Sequence, residues 1–290
     1  MPLRLTIASK ISAADSPMRA LPLLLAMLAV PAVAAEPQQL SEDRFVSAVE
    51  RAIAGGRLVQ ADAMLAKMPA IAGPAMELLR AALALARRED ATAFAMYERI
   101  RTDNPGNCRV AVAAGIAALH LGRDADAEAR LVPALSNCSD DANGWGALAM
   151  VRDRQGRWTE SDSAYRKALA LDPDSPGLLN NAGMSLLAQG HAHEAMSYFQ
   201  QALSVAPANR RAANNLDIAR VAAGERPQFD KDEDPTERAQ RLNNAGFAAL
   251  AGGDSESARR YFRQAIRDYP FRFDVAEANL EALTSKDRSR

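Results

Sequence analysis

Two blocks of 34 residues lie end to end between Ala142 and Asn209 and superimpose without a gap. Trp145, Gly156, Tyr165, Ala168 and Pro173 of the first block become Leu179, Gly190, Phe199, Ala202 and Pro207 of the second. Small, aromatic and helix-stopping residues that recur at one such period mark a helical repeat. An array of this kind implies binding rather than chemistry. The composition agrees with it. Hydrophobic residues make up 48% of the 290, charged residues 24% and aromatics only 5%, and Ala dominates the apolar set. Ala-rich interiors suit helices packed at short distance, and no run of β-branched alternation points to a sheet. The expected fold is therefore all-α, built from antiparallel helix pairs.

The period extends in both directions. Tyr97 and Pro105 fall two periods before Tyr165 and Pro173, so Pro74–Asn107 is a unit in the same register. Cys108–Asp141 is the next, with Gly115, Gly122, Ala127, Leu131 and Ala134 in place. Ser139 stands there where other units have Pro, and Pro133 falls inside the second helix. A proline in that position removes a hydrogen bond and costs about 3 kcal/mol in a regular helix, so a kink or an early end is expected. Ser41–Ala70 is a degenerate pair with Phe45, Val46, Val49 and Ile53 on one face. After Asn209 a sixth unit offers Ala213, Leu216, Ile218 and Ala222, then ends at Gly224 without a second helix. Glu225 to Pro235 is charged and proline-flanked and reads as a solvated linker. Ala239–Arg272 is a full unit again, with Leu242, Gly246, Gly253, Ala258, Phe262, Ala265 and Pro270 in register. Phe273–Leu283 forms a last amphipathic helix, and the polar tail from Thr284 is expected to fray.

The N-terminus has a different character. Arg19 precedes the apolar run Ala20–Val30, and Pro31 and the small residues Ala32–Ala35 lead to Glu36. Positive, apolar and small, in that order, describes a secretory signal peptide. The run is about 11 residues, short of the ~20 that span a bilayer. Cleavage after Ala34 or Ala35 is expected, giving a periplasmic or secreted product with no integral span; an uncleaved interfacial anchor is the other reading. Met18 is an alternative start. The resulting division is 1–35 extension and signal peptide, 36–107 degenerate pairs, 108–223 main array with a half-repeat, 224–236 linker and 237–286 C-terminal unit with a capping helix.

Leu179, Ala182, Gly183, Leu186, Gly190, Ala195, Phe199, Ala202 and Pro207 together match the tetratricopeptide repeat, and the chain resembles that family over nearly all of the sequence after residue 35. The resemblance implies a right-handed superhelix whose first helices line a concave face. It is also similar to tetratricopeptide proteins encoded with tight-adherence (Flp) pilus systems. The features shared are the signal peptide, a short array, the Leu216–Arg220 helix, a charged linker and Leu242–Gly246 opening a C-terminal unit. That likeness implies protein partners in an envelope or pilus assembly machine; a scaffold for cell-wall or outer-membrane maintenance is the alternative.

In such a superhelix the ninth position of each first helix points into the groove. It reads Ile116, Met150, Met184, Ile218 and Phe247, and the twelfth reads Leu119, Asp153, Leu187, Val221 and Leu250. Exposed apolar surface of this kind marks a partner site, and Met adapts to varied shapes. An amphipathic helix or apolar peptide is the expected occupant. The competing reading has these side chains close the seam between neighbouring helices. Asn180 and Asn181, Asn214 and Asn215, Asn243 and Asn244 occupy the fifth and sixth positions of three units. Their amides can donate to and accept from a peptide backbone or bond the neighbouring repeat. Cys108 opens one helix and Cys138 closes its antiparallel partner, so both lie at one end of the pair. In an exported protein a disulfide is expected; two free thiols are the alternative.

Other chemistries are not supported. With 35 basic and 36 acidic residues the chain has no electrostatic footprint for nucleic acid. His120, His191 and His193 lack metal-ligand spacing. Asp230, Asp232 and Asp234 mimic the start of a calcium loop, but Pro235 stands where Gly is needed and Arg241 where Glu is needed. No nucleophile elbow, zinc-protease motif or phosphate loop is present. No enzyme activity, metal or cofactor is expected.

Overall fold

The computed structural model describes residues 42–67, 73–230 and 232–288. The signal peptide expected at 1–35 lies outside them. The described residues form fourteen α-helices and no strand. A first pair, α1 (Glu42–Ala54) and α2 (Leu58–Lys67), precedes a run of strict repeats. The first helices of that run are α3 (Pro74–Ala86), α5 (Cys108–His120), α7 (Ala142–Arg154), α9 (Pro176–Ala188) and α11 (Arg210–Ala222). Each has 13 residues, and each starts 34 after the last. The second helices are α4 (Asp90–Asp103), α6 (Asp124–Asn137), α8 (Trp158–Leu171) and α10 (Ala192–Val205), of 14 residues each. The chain then continues through α12 (Pro235–Ala251), α13 (Ser255–Asp268) and α14 (Asp274–Arg288). The architecture is the tetratricopeptide solenoid.

One contact recurs in each complete repeat and explains the period. A small residue on the first helix faces a large one on the second, 16 positions on. The pairs are Ala81 with Tyr97, Gly115 with Leu131, Ala149 with Tyr165, Gly183 with Phe199 and Gly246 with Phe262. The large partners are all buried. A Cβ built on Gly183 would sit 2.7 Å from the Phe199 ring, and one on Gly246 2.5 Å from that of Phe262. At Gly183 and Gly246 the helices cross too closely for any side chain.

The turn between the two helices needs a left-handed residue. Gly122, Gly156, Gly190 and Gly253 supply it with φ of 73°, 70°, 87° and 85°. In the second pair Arg88 holds the same place at φ 62°, where an L side chain is strained. Side chains cap several first helices. Asn107, Asp141 and Asn209 accept from the backbone N–H three residues on, at 3.2, 2.7 and 3.2 Å.

Cys108 and Cys138 are disulfide-bonded, with Cα atoms 5.8 Å apart, tying the start of α5 to the end of α6. Of the kink or early end expected at Pro133, the early end is corrected: α6 continues to Asn137, with Leu131, Ala134 and Leu135 packed into the core. Helix α14 continues past Thr284 to Arg288 rather than fraying. The charged stretch after Gly224 is largely exposed but anchored: Phe229 packs against the core of α12 and α13, and Arg241 bonds Gln228 and Glu233.

Candidate functional site: the inner face of the array

Successive first helices pack side by side, α5 on α7, α7 on α9 and α9 on α11, and this row forms the inner layer of the solenoid. The ninth-position residues stand along it at the same height. Ile116, Met150, Met184 and Ile218 are half-buried, the first three packed against the core. Leu187 lies beside Met184 in one cluster. Phe247 ends the row at 47% exposure, with its edge on Phe262 at a centroid distance of 5.6 Å. Leu119 is fully buried and takes no part in this surface. The inner face is thus a broken apolar line whose most open residue is at the C-terminal end.

The asparagines form a linked series rather than six independent amides. Asn215 Nδ2 donates to Asn180 Oδ1 at 2.8 Å, and Asn244 Nδ2 to Asn214 Oδ1 at 2.7 Å. Asn279 Nδ2 donates to Asn243 Oδ1 at 2.9 Å. In the first two, the sixth-position amide of one repeat bonds the fifth-position amide of the repeat before. In α7 the fifth position is Gly146, which has no amide, and Asn181 Nδ2 points to Met150 Sδ at 3.5 Å instead. Asn180, Asn215 and Asn243 are buried and hold the first helices together. Asn181, Asn214 and Asn244 are half-buried.

Asp153, at a twelfth position, is also engaged. Ser185 Oγ donates to its Oδ1 at 2.7 Å and Tyr165 Oη to its Oδ2 at 3.1 Å, so one carboxylate joins α7, α8 and α9. Burial raises the Asp153 carboxyl above its ordinary value, and the hydroxyls of Ser161, Ser185 and Tyr165 pull against that. Burial and the nearby Asp153 charge push the Tyr165 phenol up.

The sixth repeat departs from the pattern in a way that sequence reasoning missed. Where other repeats place the small residue of the crossing pair, α11 has Asp217, fully buried. Sixteen residues on, where the large residue belongs, the chain has Glu233. Arg241 of α12 sits between them, donating to Asp217 Oδ2 at 2.7 Å and to Glu233 Oε1 at 2.6 Å. Its third bond goes to Gln228 O at 2.8 Å, and its guanidinium lies 5.0 Å from the Phe229 ring centroid. Asp217 Oδ1 also accepts from Arg220 and from the Gln228 N–H, both at 3.2 Å. Burial raises the Asp217 carboxyl, opposed by the charges of Arg241 and Arg220. An ion network therefore replaces the apolar crossing, and residues 224–230 and 232–234 form a strap where a second helix would stand. The available signal was a carboxylate at a position that is otherwise Gly or Ala.

Among the described residues no group of His, Cys, Asp and Glu could hold a metal, and no helix is long and apolar enough to cross a membrane. The inner face has the make-up of a binding surface.

Comparison with known proteins agrees with the fold. Family models of the tetratricopeptide repeat match residues 140–208 and 244–271, and these segments are tetratricopeptide repeats. A stretch of 149 residues is 36% identical to cellulose synthase operon protein C of Xanthomonas axonopodis pv. citri (strain 306). That match covers 46% of this chain but only 9% of the relative. The APC/C hetero-tetramer Cut9–Hcn1 aligns with a TM-score of 0.61 at 13% identity, over 85% of this chain and 50% of that one. PilW, a type IV pilus biogenesis factor, aligns with a TM-score of 0.53 at 15% identity, over 83% of this chain and 97% of its own. At such identities the two structural likenesses concern the fold alone. Tetratricopeptide arrays are protein-interaction scaffolds, and that is the class of protein the fold and inner face define.

Proposed function

We propose that this chain is a non-catalytic scaffold exported to the cell envelope, acting as an assembly factor for a tight-adherence (Flp) type pilus. Its inner face receives an apolar peptide or amphipathic helix of the partner. The observation that carries the reading is the line from Ile116 to Phe247, apolar side chains left half-buried to exposed along the inner face. Asn181, Asn214 and Asn244 flank it with amides that can meet a peptide backbone. The leader pattern ahead of Glu36 supports export, and the Cys108–Cys138 bond suits an oxidising compartment. The shared fold of a pilus biogenesis factor suits the pilus assignment.

A second reading, a scaffold for cell-wall or outer-membrane maintenance, is favoured by the similarity to cellulose synthase operon protein C. A deletion strain separates the two. Loss of surface filaments, restored by the wild-type gene but not by Met150→Asp with Met184→Asp, supports the pilus reading. Intact filaments with altered sensitivity to detergents support the second. Intact filaments with an unaltered envelope reject both.

A further inference from the structure

Helix α13 differs from the other second helices in the sign of its charge. It carries four arginines, Arg259, Arg260, Arg263 and Arg267, against Glu256 and Asp268, a net charge of +2. Helices α4, α6, α8 and α10, which hold the same place in earlier repeats, carry −1, −2, 0 and −1. Ala258, Tyr261, Phe262 and Ala265 are buried, so the opposite side of α13 is turned outward. There Arg260, Arg263 and Arg267 are all exposed, and their spacing of three and four residues places them in one row. Asp268 is engaged by Arg238 at 3.2 Å, and Glu256 lies in the first turn, at the far end from Arg267. No acidic side chain among the described residues pairs with Arg263 or Arg267. The helix dipole accounts for a cation in the last turn, Arg267, but not for Arg260 and Arg263 in the middle.

The row ends near an exposed aromatic. Tyr269 and Phe273 stack at a centroid distance of 4.5 Å and pack against the core of α12 and α13. Phe271, between them, is instead 80% exposed, and Val275 at the start of α14 is 56% exposed. Four residues separate Phe271 from Arg267, at most about 14 Å of chain.

A row of guanidiniums selects an anionic partner, and phosphate matches their planar donors. The open phenylalanine narrows the class. A soluble polyanion offers nothing apolar to receive it, whereas the boundary between headgroups and acyl chains takes both cations and aromatic rings. We propose that the outer face of α13, with Phe271 at its end, docks on the surface of a membrane that contains anionic phospholipids. The chain lies on the bilayer rather than spanning it. The inner face is built from first helices and stays open to a protein partner. The proposal rests on neither the pilus assignment nor the inner-face site.

The test is cosedimentation of the purified protein with two kinds of vesicle, phosphatidylcholine alone and equal parts phosphatidylcholine and phosphatidylglycerol. Each basic residue near an anionic bilayer strengthens binding roughly fivefold. The row of three should therefore give a preference for the anionic vesicles on the order of 100-fold, reduced by salt. Arg263→Gln with Arg267→Gln should cut that preference roughly 25-fold. Phe271→Ser should weaken binding to anionic vesicles about tenfold by removing the inserted ring. Arg166→Gln with Lys167→Gln, at exposed positions of α8, should leave the preference unchanged. All five positions are exposed, so circular dichroism and melting should stay as in the wild type. Every variant carries the same N-terminus, so the apolar run Ala20–Val30 contributes equally to each. Equal binding to both kinds of vesicle, an unchanged preference in the α13 double variant, or a comparable loss in the α8 double variant would overturn the proposal. Wild-type binding by Phe271→Ser would also overturn it and assign the face to a soluble polyanion.

Discussion

Helix α9 carries two glycines, Gly177 and Gly183, six residues apart, and the structure predicts opposite outcomes when each becomes Ala. A Cβ at Gly183 would lie 2.7, 2.9 and 3.0 Å from three carbons of the Phe199 ring. Comfortable carbon contacts are ~3.5–4.0 Å, so the ring must withdraw by roughly 0.8 Å. Phe199 is fully buried and has no room to move. Overpacking of this kind costs ~1–3 kcal/mol, and three simultaneous contacts put it near the upper end. The gain in helix propensity offsets about 1 kcal/mol, leaving a net loss of about 2 kcal/mol. At Gly177 a Cβ meets nothing within 4 Å. Gly177→Ala should therefore stabilise by ~0.4–1 kcal/mol, chiefly by restricting the unfolded chain. Urea denaturation followed by far-ultraviolet circular dichroism measures both. Phe199→Leu should cost less in the Gly183→Ala background than in the wild type, since the smaller side chain relieves the contact. The same sign for both glycine substitutions, or full additivity of the double variant, would refute the crossing-contact argument.

Three further predictions concern bonds that tie elements together. Cys108→Ser with Cys138→Ser should lower stability by about 2–4 kcal/mol and make thermal melts insensitive to reductant, whereas the wild type should melt lower when reduced. Glu98 is held by hydrogen bonds from Arg101 and Arg130, which lower its carboxyl from 4.5 to about 2. A depressed acid adds stability above its ordinary value and loses it as the pH falls, so the melting difference between wild type and Glu98→Gln should be full above about 4.5 and shrink towards zero near 2. Asp217→Ala leaves Arg241 and Arg220 without their shared buried carboxylate and should destabilise by ~3–5 kcal/mol, seen as loss of the α12–α13 unit's protection in hydrogen exchange; protection equal to wild type would mean that the strap is not held by this network.

The repeat itself was legible because its determinants are local and periodic. The small–large pair seen at Gly183 and Phe199 and the left-handed turn seen at Gly190 each answer one steric demand, and both recur every 34 positions. The disulfide followed from antiparallel helices with a cysteine at each matching end. The asparagines were legible as a row, but which amide bonds which depends on the stagger of neighbouring first helices, and no single repeat specifies that stagger. The strap was not legible. Its composition is that of a solvated segment, and only the fold brings Arg241 to the buried Asp217, 24 residues away. Pro133 does not end α6 for a related reason, since its local penalty is smaller than the packing of the last turn.

On this reading a protein partner binds the inner face and not the outer. The most direct measurement is site-specific photocrosslinking in living cells, with benzoylphenylalanine in place of Met184 on the inner face or of Gln201 on the exposed outer side of α10. The account predicts a discrete higher-mass adduct with one partner protein from position 184, absent from position 201. Adducts of equal yield from both positions, or from position 201 alone, would contradict it.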